Sequence, residues 1–252
     1  MVSLAELHDV WMEDHTVEYE CQANLNLYDA PTLKTLATQA VFGRQLRILP
    51  LPTTPEAVAD VGAIQVCLCE DAYSGWIAVE DLDMLMTAEA PYRAIAVSEI
   101  EIRDRLPQVI AYAQAAMKQP NYYLWGGTVG PNYDCSGLVQ TAFASVGVWL
   151  PRDSYQQEAF VQPISLDALE PGDLLFFGKP ERCSHVALYL GNGEYIHSSG
   201  KEQGRNGIGI DRLSEEGDAV SQAYFRQFRG AGRVTASFVP AQRDVQPSGE
   251  PA

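Results

Sequence analysis

The sequence predicts an α+β protein in two parts, a small β-barrel followed by a domain of mixed helices and strands. Short alternating segments fill about the first 90 residues, and apolar residues at helical spacing dominate from about residue 102. Further strand-like segments follow that helical region. A chain of 252 residues, 46% of them apolar, is long enough for two cores of modest size.

The first part, residues 1–90 with an acidic N-terminal arm, contains several short strand candidates. Apolar and polar residues alternate in them, and turn residues lie between them. The candidates are TVEYECQANLNLY, QLRILPLP, AIQVCLCE and the turn and strand of DAYSGWIAVEDL. Strands this short and this closely spaced are typical of a small β-barrel. Residues 91–104 are predicted to link it to the second part.

The second part, residues 105–237, begins with a predicted amphipathic helix in RDRLPQVIAYAQAAMKQ, with Pro107 near its start. A second helix is expected over residues 136–146, with Gly147 as the residue that ends it. The strand candidates that follow are DLLFF, SHVALYLG, EYIHSS and a closing FRGAGRV. The tail, residues 238–252, has no apolar period and is predicted to be disordered.

The net charge and the cysteines of the sequence indicate which partners and which cellular compartment to expect for this protein. The net charge is -16 at pH 7, which disfavours nucleic acid and anionic membrane and is compatible with a substrate that carries a free amine. No run of about 18 apolar residues and no signal-peptide pattern is found. The five cysteines have no disulfide-framework spacing. We therefore expect a cytoplasmic protein, although a mature secreted form is compatible with the same sequence.

One cysteine, Cys135, lies where a glycine-rich loop ends and the second predicted helix begins. Backbone N–H groups and the helix dipole at that position favour a thiolate and can stabilise an oxyanion. A nucleophile and a buried, inert cysteine are both compatible with this stretch taken alone. Cys183 is a rival nucleophile, but it is not at a helix N-terminus.

A nucleophilic cysteine needs a base, and two histidines lie in the predicted strand pair. His185 and Ala187 share one face of their strand. A two-residue turn would pair His197 with the opposite face, whereas a three-residue loop over residues 191–193 would pair it with Ala187. We predict the three-residue loop, with His185 as general base and His197 as the residue that orients it.

Four blocks together resemble the NlpC/P60 cell-wall peptidases. They are YLWGGTVGPNYDCSGLVQ, LPRDSYQQ, PGDLLFF and SHVALYLGNGEYIH, and they follow one another in the family's order over roughly residues 105–235. The resemblance implies a papain-like α+β fold without a metal or other cofactor. It also implies Cys135 as nucleophile, with His185 and His197 completing the triad. By the same resemblance, Tyr123 lies near the oxyanion site, and the neighbours of the nucleophile contact substrate; these are Asp134 and Ser136.

The strand-rich first part resembles bacterial SH3-like domains in LNLYDAP and GWIAVEDL. The whole chain is similar to two-domain γ-D-glutamyl-L-diamino acid endopeptidases, which cleave stem peptides of peptidoglycan that have a free N-terminal L-alanine. For such a substrate we expect Asp134 to bind the ammonium group, and Arg152 and Ser154 to bind the D-glutamate carboxylate. Tyr73 of the barrel is expected to close the groove and so to favour short peptides, as in recycling.

Two alternatives remain open at this level. One is an amidase or transpeptidase on the same scaffold, and the other is a non-catalytic wall-binding protein. The preferred diamino acid and the oligomeric state are not predicted by the sequence.

Overall fold

In the computed structural model, described for residues 4–13, 16–51, 58 and 60–241, a strand-rich unit precedes a mixed helix-and-strand unit. The predicted fold class, an SH3-like β-barrel followed by a papain-like α+β domain, is confirmed. Most of the predicted tail, residues 242–252, lies outside the described residues. None of the helices in the described ranges is long and apolar enough to cross a membrane.

The barrel unit is a seven-stranded antiparallel sheet around one apolar core, preceded by a helix, α1 (Leu4–Glu13), that buries Leu7 in that core. Its strands are β1 (Glu18–Cys21), β2 (Leu25–Tyr28), β3 (Leu36–Ala40), β4 (Gln45–Ile48), β5 (Ala63–Leu68), β6 (Ser74–Ala78) and β7 (Leu85–Thr87). They pair in the order β3-β2-β6-β5-β4-β1-β7, which leaves β3 at one edge. Alternate residues of the short strands point into the core, as the alternating sequence predicts.

The second unit packs helices against a six-stranded sheet. Its helices are α2 (Glu99–Met117), α3 (Cys135–Ala144), α4 (Ser154–Phe160) and α5 (Ala219–Phe225). Its strands are β8 (Gln162–Ile164), β9 (Leu174–Lys179), β10 (Arg182–Gly191), β11 (Glu194–Ser199), β12 (Gly207–Arg212) and β13 (Phe228–Arg233), in the order β12-β11-β10-β9-β13-β8. One face of the sheet shares a core with α2 and α3, and the other face packs on α5.

Helix α2 starts inside the segment predicted as a linker. Ser98 caps it, because its hydroxyl accepts from the backbone of Glu101 while the Glu101 carboxylate accepts from the backbone of Ser98. Pro107 therefore lies in the middle of the helix and not near its start, so the predicted position was wrong. Pro107 lies on the exposed face of the helix. Proline has no backbone N–H, so one carbonyl of the preceding turn lacks its intrahelical hydrogen bond and can bond to solvent instead.

The hairpin of β10 and β11 has the predicted register but not the predicted loop. Asn192 and Gly193, both with positive φ, form a two-residue turn between Gly191 and Glu194. A β-bulge between Tyr189 and Gly191 then shifts the pairing by one residue, so that Leu188 pairs with Ile196. Continuing this register sets His197 opposite Ala187, which brings both histidines to one face of the sheet.

The two units meet along the edge strand β3. The side chain of Gln39 accepts from the backbone N–H groups of Thr128 and Val129, and the Thr128 hydroxyl donates to the Gln39 carbonyl. These bonds cover polar groups that an edge strand would otherwise expose. The glycine-rich loop that leads to Cys135 is thereby fixed to the barrel.

The start of the predicted disordered tail is ordered where the structure describes it. The backbone N–H of Phe238 donates to the carbonyl of Trp149, and its ring packs edge-on against Phe160. The sequence pattern missed this segment because single anchoring contacts leave no period.

Candidate active site

Cys135 is the first residue of α3, as the sequence predicts. Asp134 is the N-cap, and its carboxylate accepts from the backbone N–H of Gly137 at 2.6 Å. The thiol is 6% exposed and contacts the backbone N–H groups of Ser136 and Val186. A nucleophile at this position would have two N–H donors within reach of its sulfur.

The ionisation expected for this thiol is not what the structure favours at rest. Burial raises the pKa of the Cys135 thiol to about 12, and the charge of Asp134 adds to the rise. The backbone N–H groups of Val186 in β10 and of Ser136 at the helix start, with the charge of Arg152, lower the pKa by less. Desolvation of the sulfur therefore outweighs the helix dipole and favours the neutral thiol at rest, and the thiolate form of the nucleophile stays a prediction.

The two histidines are in direct contact. His185 Nε2 and His197 Nδ1 are 2.7 Å apart, and both side chains are buried. Burial lowers the pKa of each imidazole, that of His185 well below its usual value, so both rings are neutral. The ring of Tyr224, from α5, stacks on His185 with centroids 4.4 Å apart. The second nitrogen of His185, Nδ1, is left for a proton from Cys135.

Two groups at this site were missed by the sequence analysis. Asp211 of β12 lies 2.7 Å from His197 Nε2, and Tyr224 fixes the plane of His185. A signal for Asp211 was present, because Ile208 and Ile210 alternate just before it in GIGIDR. The stacking tyrosine left no signal, since its helix is short and distant in sequence.

Arg152 is not available to a substrate carboxylate, contrary to the prediction. Its side chain is 1% exposed and donates to Asp134 at 2.6 and 3.1 Å, to Ser136 at 3.0 Å and to Thr38 of the barrel at 2.9 Å. These four bonds leave one of its five N–H donors. Arg152 thus holds both neighbours of Cys135 and ties them to β3.

The same bonds change the role expected for Asp134. Its two oxygens accept from Arg152, from Ser136 and from the backbone N–H groups of Gly126 and Gly137. A carboxylate with a buried counter-ion and this many donors is a poor partner for a substrate ammonium. Ser154 is also buried, and its hydroxyl contacts the Cys183 thiol.

Tyr73 reaches the catalytic unit from the turn between β5 and β6. Burial raises its pKa to about 12, and the charge of the nearby Asp153 carboxylate adds to the rise. The turn is held in place because Asp71 pairs with Arg44 at 2.9 Å and accepts from Gln140 of α3 at 2.9 Å. The barrel therefore brings a phenol to the segment that follows the nucleophile helix in the chain.

Tyr123 is half-buried near Cys135. Burial raises its pKa, and the proximity of Cys135 raises it further, so the phenol stays protonated and can donate. Among the described residues, no group of three or more histidine, cysteine or acidic side chains is arranged to hold a metal ion.

A thiol at a helix start, a buried histidine pair on an antiparallel sheet and a mixed helix-and-strand fold are the features of a papain-like domain. Residues 120–228 match the model of the NlpC/P60 family, and residues 27–82 match that of the bacterial dipeptidyl-peptidase Sh3 domain. The protein thus joins a domain of the NlpC/P60 family of cell-wall peptidases to a bacterial SH3 domain.

The curated relatives match less than half of this chain. A probable endopeptidase p60 of Listeria monocytogenes is 38% identical over 43% of this chain and 21% of its own length. A gamma-D-glutamyl-L-lysine dipeptidyl-peptidase of Bacillus cereus is 35% identical over 44% of this chain and 32% of its own. A solved NlpC/P60 family protein of Bacillus cereus aligns over 90% of this chain and 66% of its own, with 22% identity and a TM-score of 0.47. This chain thus spans only a fifth to a third of the two curated relatives.

Proposed function

We propose that this protein is a cysteine endopeptidase that cleaves the bond between γ-D-glutamate and a diamino acid in peptidoglycan stem peptides with a free N-terminal L-alanine. The observation that carries the proposal is the histidine pair, joined at 2.7 Å, whose stacking partner Tyr224 also lies near the Cys135 thiol at the start of α3. The name of the Bacillus cereus relative supports the choice of bond.

The reaction begins with a neutral Cys135 thiol and a neutral His185 imidazole, and not with a thiolate. As the Cys135 sulfur attacks the γ-carbonyl carbon, its proton passes to His185 Nδ1. The backbone N–H groups at the start of α3, with the Tyr123 hydroxyl, stabilise the oxyanion. His185 returns the proton to the departing amine as the C–N bond breaks. It then takes a proton from the water that attacks the thioester and gives that proton back to the Cys135 sulfur.

The free amine of the substrate is best bound by Asp153 with Tyr73. Asp153 is half-buried at the start of α4, beside the barrel turn, whereas Asp134 is already neutralised by Arg152. Burial raises the pKa of Asp153, and a bound ammonium would lower it again, which makes binding favourable. With Tyr73 at this end, the barrel blocks longer chains, so short peptides are preferred.

Cleavage of L-Ala-γ-D-Glu-diaminopimelate, followed by mass spectrometry, tests the activity. We expect wild type to release the diamino acid, Cys135→Ala to be inactive, and Cys183→Ala to remain active as a matched control for the loss of a buried thiol. An exchanged amine in the product would instead identify a transpeptidase, and release of a muramic acid end from a muramyl peptide would identify an amidase. Binding without turnover would identify a wall-binding module.

The amine site is tested with the N-acetylated tripeptide and with intact peptidoglycan. We expect wild type to prefer the free amine by about 10- to 100-fold in kcat/KM, the equivalent of one charge-assisted hydrogen bond. Asp153→Asn should lose that preference, whereas Asp167→Asn, at an exposed carboxylate, should keep it. Equal rates on intact wall and free tripeptide would contradict closure by the barrel.

A further inference from the structure

His185 can accept a proton from Cys135 only when its own proton is on Nε2 and Nδ1 is bare. The carboxylate of Asp211, on the far side of His197, selects this tautomer. Asp211 Oδ2 lies 2.7 Å from His197 Nε2, and the Asp211 side chain is 1% exposed. Asp211 lies opposite Tyr195 in the register of β11 and β12, so it shares a sheet face with His197. The strand pairing alone therefore brings the carboxylate to the second histidine.

Asp211 is held in its ionised form. Arg205 donates to both of its oxygens, one through Nε at 2.7 Å and the other through Nη2, and Ser221 donates at 3.3 Å. Burial alone would raise the pKa of Asp211, but the hydrogen bonds from His197 and Arg205 lower it well below the usual range. Asp211 can therefore only accept hydrogen bonds.

The arginine reaches this position because Gly209 has no side chain. A Cβ on Gly209 would lie 2.7–2.8 Å from three atoms of the Arg205 side chain, which crosses β12 at this point. Gly209 also lies directly opposite His197 in the strand pairing. The glycine, the arginine and the carboxylate thus form one arrangement behind the second histidine.

The proton positions then follow one from another. His197 must place its proton on Nε2, because its partner there is a carboxylate that can only accept. A neutral His197 then has a bare Nδ1, which must accept from His185 Nε2 across the 2.7 Å contact. A neutral His185 with its proton on Nε2 has a bare Nδ1, the atom that takes the proton of Cys135.

We propose that Asp211, held by Arg205, is a positioning residue that sets the tautomers of His197 and His185 in series and so keeps His185 Nδ1 unprotonated. This proposal rests on the proposed function for its role in catalysis, but its structural content does not depend on any substrate. The charged and titratable groups around the pair are Cys135, Arg205, Asp211, Tyr195 and Tyr224, and Asp218 lies beyond Arg205 on the surface.

Nitrogen-15 NMR of the histidine side chains tests the tautomers directly in the wild-type protein. We expect both His185 and His197 to carry the proton on Nε2 near neutral pH. A wild-type spectrum with the His185 proton on Nδ1 would overturn the proposal. This test needs no variant, so it can be made even if the Asp211 variant does not fold. This result is also independent of whether the stem peptide is the substrate.

The variant Asp211→Asn keeps an acceptor but adds a donor, so the tautomers are no longer fixed. We expect mixed tautomers at both histidines and a fall in kcat of about 10- to 100-fold with KM unchanged, the range for loss of an orienting partner. The matched control is Asp218→Asn, because Asp218 is 60% exposed, lies 3.8 Å from the same arginine and remains a helix cap as asparagine.

The outcomes separate this proposal from the proposed function. Wild-type protein with the expected tautomers but no cleavage of the peptide would count against the substrate and leave the role of Asp211 supported. An Asp211→Asn variant with wild-type tautomers and full kcat would overturn the role of Asp211 while the peptidase activity stands. Equal losses in Asp211→Asn and Asp218→Asn would also overturn it, since a general change in charge would then explain both.

Discussion

Replacing Arg152 with methionine should destabilise the protein far more than it weakens substrate binding. The substitution removes a guanidinium that is 1% exposed and leaves the carboxylate of Asp134, with a 9% exposed side chain, without its counter-ion. Breaking a buried ion pair from one side costs about 3–5 kcal/mol. At about 2–4 °C per kcal/mol for a chain of this size, the melting temperature should fall by roughly 6–20 °C.

The assay is urea unfolding followed by circular dichroism, with the free energy of unfolding extrapolated to water. The matched control is Arg212→Met, which removes an arginine that is 63% exposed and pairs with Glu194 at 3.2 Å on the surface. A surface pair of this kind contributes about 0–1 kcal/mol. The loss in free energy of unfolding should therefore be clearly larger for Arg152→Met than for Arg212→Met.

A double variant isolates the cause of the loss. Asp134→Asn keeps an N-cap side chain but removes the buried charge, so Asp134→Asn/Arg152→Met should recover part of the stability lost in Arg152→Met alone. The reasoning is refuted if Arg152→Met unfolds within 1 kcal/mol of wild type and shows only a raised KM. That result would restore Arg152 as a donor to the substrate carboxylate.

Three other predictions concern the contact between the units and the buried histidines. Thr38→Val should lower the free energy of unfolding by about 1.5–3 kcal/mol in urea unfolding, because a charged donor loses its partner; Thr38→Ser, which keeps the hydroxyl, should not. Gly126→Ala should destabilise more than Gly43→Ala on thermal unfolding, since both have positive φ but only the first would set a Cβ 2.7 Å from a carbonyl oxygen of β3. Burial lowers the pKa of His185 and His197, so the unfolded chain binds protons before the folded protein does as pH falls below about 6.5. The free energy of unfolding should therefore fall by up to about 1.4 kcal/mol per pH unit for each histidine. A free energy of unfolding that increases as the pH is lowered from 7 to 5 would contradict this.

The position of Cys135 at a helix start and the register of the histidine hairpin were predictable because both follow from local patterns. A thiol after a glycine-rich loop and before an apolar helix is visible in the letters alone, and strand parity fixes which residues share a face. The loop prediction was nevertheless wrong: a bulge between Tyr189 and Gly191 supplies the shift that was attributed to a longer turn. Two local geometries give the same parity, and the sequence does not distinguish them.

What the sequence did not predict depends on burial between distant segments. Arg152 belongs to the polar segment LPRDS, and it is buried by contacts with distant residues of β3 and α3. The effect of burial on the thiol pKa was missed for the same reason, because a helix dipole is local whereas desolvation depends on everything packed around Cys135. Strand β12 was missed since two glycines in GIGIDR weaken its strand signal.

The barrel contributes to the candidate site through contacts with the nucleophile helix and the segment that follows it. Asp71 accepts from Gln140 in the middle of α3, and Thr38 accepts from the arginine that holds both neighbours of Cys135. A displacement of the barrel would therefore move the nucleophile as well as the groove wall that Tyr73 forms. This coupling explains why a buried arginine lies between the two units: the desolvation of its charge is offset only when Asp134 and Thr38 are both in place. The contacts that join the two units are consequently the same contacts that position the neighbours of Cys135.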